Sequence, residues 1–299
     1  MGMRAFQAPG RFWRGNLHTH SNRSDGALSP EAVCAHYRDA GYDFLCLSDH
    51  FLARFDFPVT DTRPFRSAGF TTLLGAELHA DATSHGELWH ILAVGLPEDF
   101  EATGSAEDGL ALAKRAREAG AFVGIAHPQW SGLTIEDGRA MAAHAHSVEI
   151  YNYTCDLETA RADGTYLLDE LLNEGYALSA YAADDTHFKY EEGLAAWVMV
   201  KAEESTPETL LEALKAGLFY SSQGPVIEGF SIADGEVAVE CSPAVNVALV
   251  GRGAKSENQW GRDLTRVRLS SERFEGDWFR LIVADAAGRL AWSNPVRLD

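Results

Sequence analysis

Positive charge is what this sequence lacks most. Lys and Arg together number 25 against 44 Asp and Glu, a formal net charge of −19. Nucleic acids and anionic membranes are held by clustered Lys and Arg, so neither is an expected partner. Part of the acid excess suits bound divalent cations, which offset local carboxylates; the rest reads as a solvated acidic surface. Cysteine is also scarce. Cys34, Cys46, Cys155 and Cys241 stand far apart and form no C-x-x-C pair, which argues against a disulfide-stapled fold. They read as buried reduced thiols and hence as marks of a cytoplasmic protein. The opening stretch MGMRAFQAPGRFWRG has no apolar segment of the kind a secretory signal carries. No run of about 18 apolar residues occurs, so no membrane span is expected. Low-complexity segments and fixed-period repeats are missing too. Beyond His187 the chain has no histidine at all, although 11 occur in the whole sequence.

What is present is organised. The hydrophobic fraction, 46% of 299 residues, suffices for a large core. The stretch 16–50 sets the theme. His18 and His20 follow the apolar entry 12–17, and residues i and i+2 of an extended chain face the same way, so both imidazoles reach one metal ion. Asp25 comes next. Ser29, Pro30 and Glu31 supply an N-cap, a proline at the first helical position and a first-turn acid, which predicts a helix over 30–40 that Gly41 stops. Residues 44–47 read as a short buried strand delivering Asp49 and His50 at its end, the form of an α/β-barrel active site.

The pattern then recurs. Residues 51–68, with Pro58 and Pro64, read as a loop over the site. Strand 70–74 ends at Glu77, and the apolar run 89–95 contains His90. A helix capped by Ser105 and ended by Gly120 precedes strand 121–126, which finishes at His127. Strand 148–152 holds Glu149, and strand 177–182 delivers Asp184, Asp185 and His187. A strand at 196–200 and a helix at 207–216 close the series. Strands alternating with helices imply parallel βαβ units. About seven such units favour a closed α/β barrel over an open sheet.

After Gly224 and Pro225 the long helical patterns cease. Short β-type runs at 226–232, 236–240, 245–250, 266–269, 278–285 and 290–292 predict a small β-sandwich of about 75 residues. The expected division is 1–223 and 224–299. The chemistry is expected in the first part, because every histidine lies there.

The polar residues at strand ends are His18, His20, Asp25, His50, Glu77, His90, His127, Asp185 and His187. All offer nitrogen or oxygen, which suits zinc, manganese or iron, and nine ligands are too many for one ion. Two or three divalent ions are therefore expected. Glu77 is the expected bridge, since each carboxylate oxygen can bind a different ion. His36, His144 and His146 read as structural or exposed, and His79 and His85 stay outside the expected ligand set. Asp49 and Asp184 each adjoin a proposed ligand and are expected to orient an imidazole or to donate a proton. Glu149 is a further candidate for the orienting role. Arg23, between His20 and Asp25, is the expected reader of an anionic substrate group. Trp130, Tyr151, Phe188 and Tyr190 are candidates for lining a pocket.

These stretches resemble the PHP family, named for polymerase and histidinol phosphatase. The resemblance rests on His18-Thr19-His20 with Ser24-Asp25-Gly26, on Ser48-Asp49-His50, Gly75-Ala76-Glu77, His90-Ile91-Leu92, Ala126-His127-Pro128 and Asp185-Thr186-His187. It implies a distorted (β/α)7 barrel with a trinuclear metal centre, followed here by the small β-sandwich. It would place His18, His20, Glu77 and Asp185 on one ion, Glu77, His90 and His127 on a second, and Asp25, His50 and His187 on a third. Gly224-Pro225, the 279–288 strand and turn, and Ala291-Trp292-Ser293-Asn294-Pro295 are similar to the C-terminal β domain of the carbaryl-hydrolase-like branch.

The expected activity is a metal-dependent phosphoesterase acting on a small phosphate mono- or diester, with a metal-bridging hydroxide as nucleophile. The alternative on the same centre is a carboxylic-ester or carbamate hydrolase. In either case the partner is a small-molecule substrate, phosphorylated in the first.

Overall fold

The computed structural model describes residues 4–298. Its strands are β1 (Arg11–Asn16), β2 (Phe44–Leu47), β3 (His50–Phe51), β4 (Thr71–Ala80), β5 (Trp89–Val94), β6 (Phe122–Ile125), β7 (Ser147–Asn152), β8 (Ser179–Ala183), β9 (Trp197–Ala202) and β10 (Phe219–Ser222). Six more follow: β11 (Ile227–Ala233), β12 (Glu236–Gly251), β13 (Ser256–Ser270), β14 (Trp278–Ala284), β15 (Leu290–Ser293) and β16 (Val296–Arg297). The helices are α1 (Arg4–Gln7), α2 (Pro30–Asp39), α3 (Gly109–Glu118), α4 (Ile135–Ala142), α5 (Tyr153–Thr159), α6 (Thr165–Asn173) and α7 (Pro207–Lys215). The class is mixed α/β with one large sheet. Among the described residues no helix is long and apolar enough to cross a membrane.

The first helix of the site region starts where its sequence dictates. Ser29 takes an extended conformation, and its side chain accepts the Ala32 backbone N–H. Pro30 occupies the first turn, where its missing N–H costs nothing. The sheet runs β1-β2-β4-β5-β6-β7-β8 through the first part. Pairs β1/β2, β2/β4, β6/β7 and β7/β8 are parallel, as the alternation of strands and helices predicts. Pairs β4/β5 and β5/β6 are antiparallel, which it does not predict. Residues 81–88 hold no helix, and so short a link can join only antiparallel neighbours. The run returns on itself just past the strand ends. Thr19 bridges Thr186 in parallel, the His20 N–H donates to the Thr186 carbonyl and the Asp185 N–H to the His18 carbonyl, both at 2.9 Å. The segments carrying His18, His20, Asp185 and His187 are thereby laced together by backbone alone.

The compositional change at Gly224 does not interrupt the sheet. β9 pairs with β1, β10 with β9, and β15 with β10, all antiparallel. One core is built from β11, β12, β13 and β14, with Val247, Leu249, Phe279 and Leu281 fully buried. The core of the first part also contains Trp278 and Trp292. Arg280 makes a bidentate pair with Asp169 of α6 at 3.0 and 2.8 Å. Asn294 accepts from the Ala180 N–H at 2.7 Å and donates to the carbonyls of Gly217 and Phe219.

Truncation after Gln223 is therefore expected to abolish the cooperative thermal transition, as read by calorimetry against the full chain. Emptying a buried tryptophan socket alone costs about 3–5 kcal/mol, and two would be emptied. A sharp transition in the shortened chain would show that residues 224–299 merely decorate the first part.

Candidate metal centre

Each proposed ligand follows from its strand. His18 and His20 continue β1 in extended form and are fully buried, their ring centroids 5.3 Å apart. His50 opens β3, His90 lies in β5, and His127 closely follows β6. Glu77 differs from expectation. It lies inside β4, which runs on to Ala80, so His79 falls two residues further along the same face. His79 in turn lies opposite His90 in the β4/β5 register.

Glu77 is the centre of the arrangement. Its Oε1 lies 2.7 Å from His90 Nδ1 and 3.0 Å from His127 Nε2. Its Oε2 lies 2.6 Å from His50 Nδ1 and 3.6 Å from ring nitrogens of His18, His20 and His79. Asp185 Oδ1 is 2.9 Å from His20 Nε2 and 3.3 Å from His18 Nε2. Asp25 Oδ1 is 3.3 Å from both His50 Nε2 and His187 Nε2.

The donor set fits divalent metal. Four groupings bring one ligand atom per residue within mutual reach: His20, Asp25, His50 and His187; His18, His20 and Asp185; His18, Glu77 and His127; His50, Glu77 and His79. His18 Nε2, Asp25 Oδ1 and Glu77 Oε2 are buried with no hydrogen-bond partner among the described residues. Buried polar atoms are ordinarily satisfied, so orphans within these groupings call for ions. His50 Nδ1 and His79 Nε2 face each other at 2.9 Å, as two ligands aimed at a common ion do.

Burial alone would push the Glu77 carboxyl up; the imidazoles of His50, His90 and His79 outweigh it and hold it well below the usual carboxylate range. Asp185 is likewise lowered against burial, chiefly by His18 and His20. Burial and the facing rings of His187 and His50 keep His20 low, which leaves a neutral nitrogen available for ligation. His127 and Asp185 also hold positive φ, +22° and +57°, unusual for residues with a Cβ. Such strain persists where surrounding structure imposes it, as at binding sites.

The groups behind these residues differ from expectation in part. Glu149, fully buried, puts Oε1 3.1 Å from His18 Nδ1, while Oε2 accepts the His127 N–H and the Asn152 amide. Gly164 lets the chain pass beneath it, since a Cβ there would stand 2.0 Å from the Glu149 carbonyl oxygen. Asn152 also donates to Asp185 Oδ2 at 3.0 Å, and Ser131 Oγ meets His127 Nδ1 at 2.9 Å.

Asp49 and Asp184, expected to orient an imidazole, hydrogen-bond to none among the described residues. Asp49 accepts from the Ser21 N–H and the hydroxyls of Ser21, Ser24 and Thr60. Asp184 accepts from the Tyr37 hydroxyl and the N–H groups of Leu194, Ala195 and Ala196. These carboxylates hold the loops that carry the ligands, and with their oxygens so occupied they are poorly placed as proton donors. Tyr37→Phe removes a donor from a buried acid, so it is expected to destabilise the fold by about 1.5–3 kcal/mol, measured by urea unfolding. An unchanged midpoint would mean that the three backbone donors suffice.

A cavity of about 320 Å³ opens over the centre. Arg23, expected to meet the substrate, does not line this cavity and is exposed. The cations at the cavity are Arg54 and Lys189. Lys189 pairs with Asp25 at 3.0 Å; Arg54 pairs with no carboxylate among the described residues. Among the four candidate aromatics, Trp130 lines this cavity. Tyr151 lines a separate one, Phe188 packs on His36 and Tyr37, and Tyr190 donates to Glu158. His79 is legible in principle, as an i+2 neighbour of Glu77 on a strand. Arg54 and Lys189 carry no comparable signal.

No protein-family model matches the sequence, and no curated protein does. Solved structures do. One is a two-domain protein from Bacteroides vulgatus ATCC 8482 containing a predicted PHP-like metal-dependent phosphoesterase. It is 16% identical, with a TM-score of 0.55, and the match covers 97% of this chain and 98% of that one. The two therefore share a fold over both parts. Another is an amidohydrolase from Chromobacterium violaceum with bound sulfate and no metal, 14% identical with a TM-score of 0.46, matched over 60% of this chain and 89% of that one.

Proposed function

We propose that this chain is a metal-dependent phosphoesterase of the PHP family, hydrolysing a small phosphate mono- or diester in the cytoplasm. The observation that carries the reading is Glu77, a buried carboxylate whose two oxygens face different sets of imidazoles, flanked by Asp25 and Asp185. The fold shared with the PHP-like phosphoesterase supports it, and so do four free, buried cysteines for the compartment. We read the first part as the distorted seven-stranded barrel of that family and residues 224–299 as its β-sandwich companion.

On this reading His18, His20, Glu77 and Asp185 hold one divalent ion, Glu77, His90 and His127 a second, and Asp25, His50 and His187 a third. His79 joins Glu77 and His50. Zinc, manganese or iron suits such nitrogen and oxygen donors. When bound, such ions lower the pKa of coordinated water to about 7 and offset charge on phosphoryl oxygens. The protein's own groups do the positioning. Glu149 fixes the ring of His18 from behind, and Ser131 fixes that of His127. Lys189 is tied to Asp25, so Arg54 is the cation left to meet a phosphate oxygen.

The carboxylic-ester or carbamate reading draws on the apolar side of the cavity, Leu52, Leu88 and Trp130. A neutral ester has no use for Arg54. Arg54→Ala is expected to lower kcat/KM on p-nitrophenyl phosphate by roughly ten- to a hundredfold, the worth of a charge-assisted contact. The loss on p-nitrophenyl acetate should be far smaller, and Arg23→Ala should change neither. Equal losses on both esters would give Arg54 a structural role in place of a phosphate contact, and turnover of acetate alone by the wild type would favour the carboxylic-ester reading.

A further inference from the structure

The two ends of the centre differ in character. At the end marked by Asp25 and His50, Lys189 pairs with Asp25, and the Arg54 guanidinium lies over Phe55, whose ring stacks on His50. At the other end Trp130 meets His127 and His90 edge-on, with ring centroids 5.0 and 5.4 Å apart. Trp130 remains 39% exposed and Leu88 38%, in a protein that buries most of its large apolar side chains. Both also line a second cavity of about 370 Å³, which shares His90 with the first. The two cavities therefore adjoin at Leu88, His90 and Trp130. The turn carrying Trp130 is held by backbone bonds from Ser131 to His127, Gly132 to Gln129 and Leu133 to Pro128. Its ring is thus presented before any ligand arrives. Glu87 and Arg161 line the second cavity with opposite charges, so that region has no net preference for an anion.

We propose that the organic side of the substrate is a flat aromatic group, seated on Trp130 and Leu88 while the phosphoryl group faces Arg54. A fixed indole offers a large apolar area and a stacking face at little entropic cost. An alkyl ester leaves that face wet. The proposal rests on the phosphoesterase reading for the group transferred but not for the seat itself, and Trp130 acts here as a specificity residue.

The test uses the full-length, metal-loaded protein, its Trp130→Ala, Trp130→Phe and Leu88→Ala variants, and two pairs of probes. The first pair is 1-naphthyl phosphate and ethyl phosphate, followed by kcat/KM. The second is 1-naphthylphosphonate and ethylphosphonate, which are not hydrolysed and are followed by titration calorimetry. Intrinsic leaving-group reactivity cancels when each variant is divided by the wild type. Trp130→Ala should lose about tenfold more on the naphthyl ester than on the ethyl ester, and naphthylphosphonate affinity should fall by a similar factor. Trp130→Phe should recover most of both, and Leu88→Ala should show the same selectivity at smaller size. Equal losses on the two esters, or an unchanged naphthylphosphonate affinity in Trp130→Ala, would overturn the seat and leave Trp130 as packing for His90 and His127. A wild type that binds naphthylphosphonate through Trp130 yet hydrolyses neither ester would support the seat and reject the phosphoesterase reading.

Discussion

Glu77→Gln is expected to lower kcat/KM on the order of a thousandfold or more and to leave the purified protein short of divalent metal. The substitution keeps the size of the side chain and removes one oxygen and the charge. Each oxygen of Glu77 serves a different side: Oε1 faces His90 and His127, and Oε2 faces His50, His18, His20 and His79. An amide can present an acceptor to only one of these sides and offers the other an N–H, which binds no cation. The loss should therefore reach more than one ion. Elemental analysis of wild type and variant, purified side by side from zinc- or manganese-supplemented cultures, reads the metal directly. Circular dichroism confirms the fold. A variant with its full metal complement and normal turnover would remove Glu77 from the centre altogether.

The reason so much of this site can be read from the chain is local. His18, His20, His50, His127, Asp185 and His187 each stand at or just beyond a strand, where apolar residues give way abruptly to polar ones. Two-residue periodicity then tells which of them share a face. Glu77 and His79 are harder, because the polar residues sit inside a ten-residue strand, Thr71–Ala80, whose latter half carries both. A strand with buried charge looks like a strand that has ended. The supporting carboxylates mislead for another reason. Adjacency in sequence suggests Asp49 and Asp184 behind imidazoles, yet consecutive side chains need not face the same way, and Asp185 leaves the extended conformation altogether at φ +57°. Their oxygens meet loops instead. Glu149, more than a hundred positions from His18, does that work through the parallel pairing of distant strands.

The fold shows the same division between local and long-range information. The capped helix Pro30–Asp39 is legible because Ser29, Pro30 and Glu31 act on their immediate neighbours. Strand direction is not, since antiparallel β4/β5 follows from how short the link between them is, not from the strands themselves. In the C-terminal part, β12 and β13 are far longer than the short runs predicted. Register shifts near Ala244 interrupt the alternation of β12, and much of β13 is exposed and polar, so hydrophobic pattern cannot mark it. The pairing that carries the sheet past Gly224 is likewise tertiary: β15 finds β10 across nearly seventy residues of intervening chain. Composition marks a change there, and the sheet runs on through it.

Asp185→Asn and Asp185→Ala are each expected to reduce kcat/KM on the order of a thousandfold, and to differ from one another in stability. Asp185 Oδ1 reaches both His18 and His20, so loss of the carboxylate removes the anion shared by these two rings. Both variants suffer that equally. They differ in backbone, because Asp185 sits at φ +57°. Asparagine enters the left-handed region more readily than other residues with a Cβ, whereas alanine pays roughly 1–2 kcal/mol there. An asparagine side chain would also keep a polar group within reach of the Asn152 amide, which now donates to Asp185 Oδ2. In chelator-treated protein, where metal affinity plays no part, urea unfolding should therefore place the alanine variant below the asparagine variant by at least about 1 kcal/mol. Comparing the variants with each other cancels the shared loss of charge, so the difference reports the backbone preference together with the polar contact to Asn152. Equal midpoints would show that neither the left-handed backbone nor the Asn152 contact at this position bears on stability. Near-normal turnover in the asparagine variant would show that the charge of Asp185 has no part in hydrolysis.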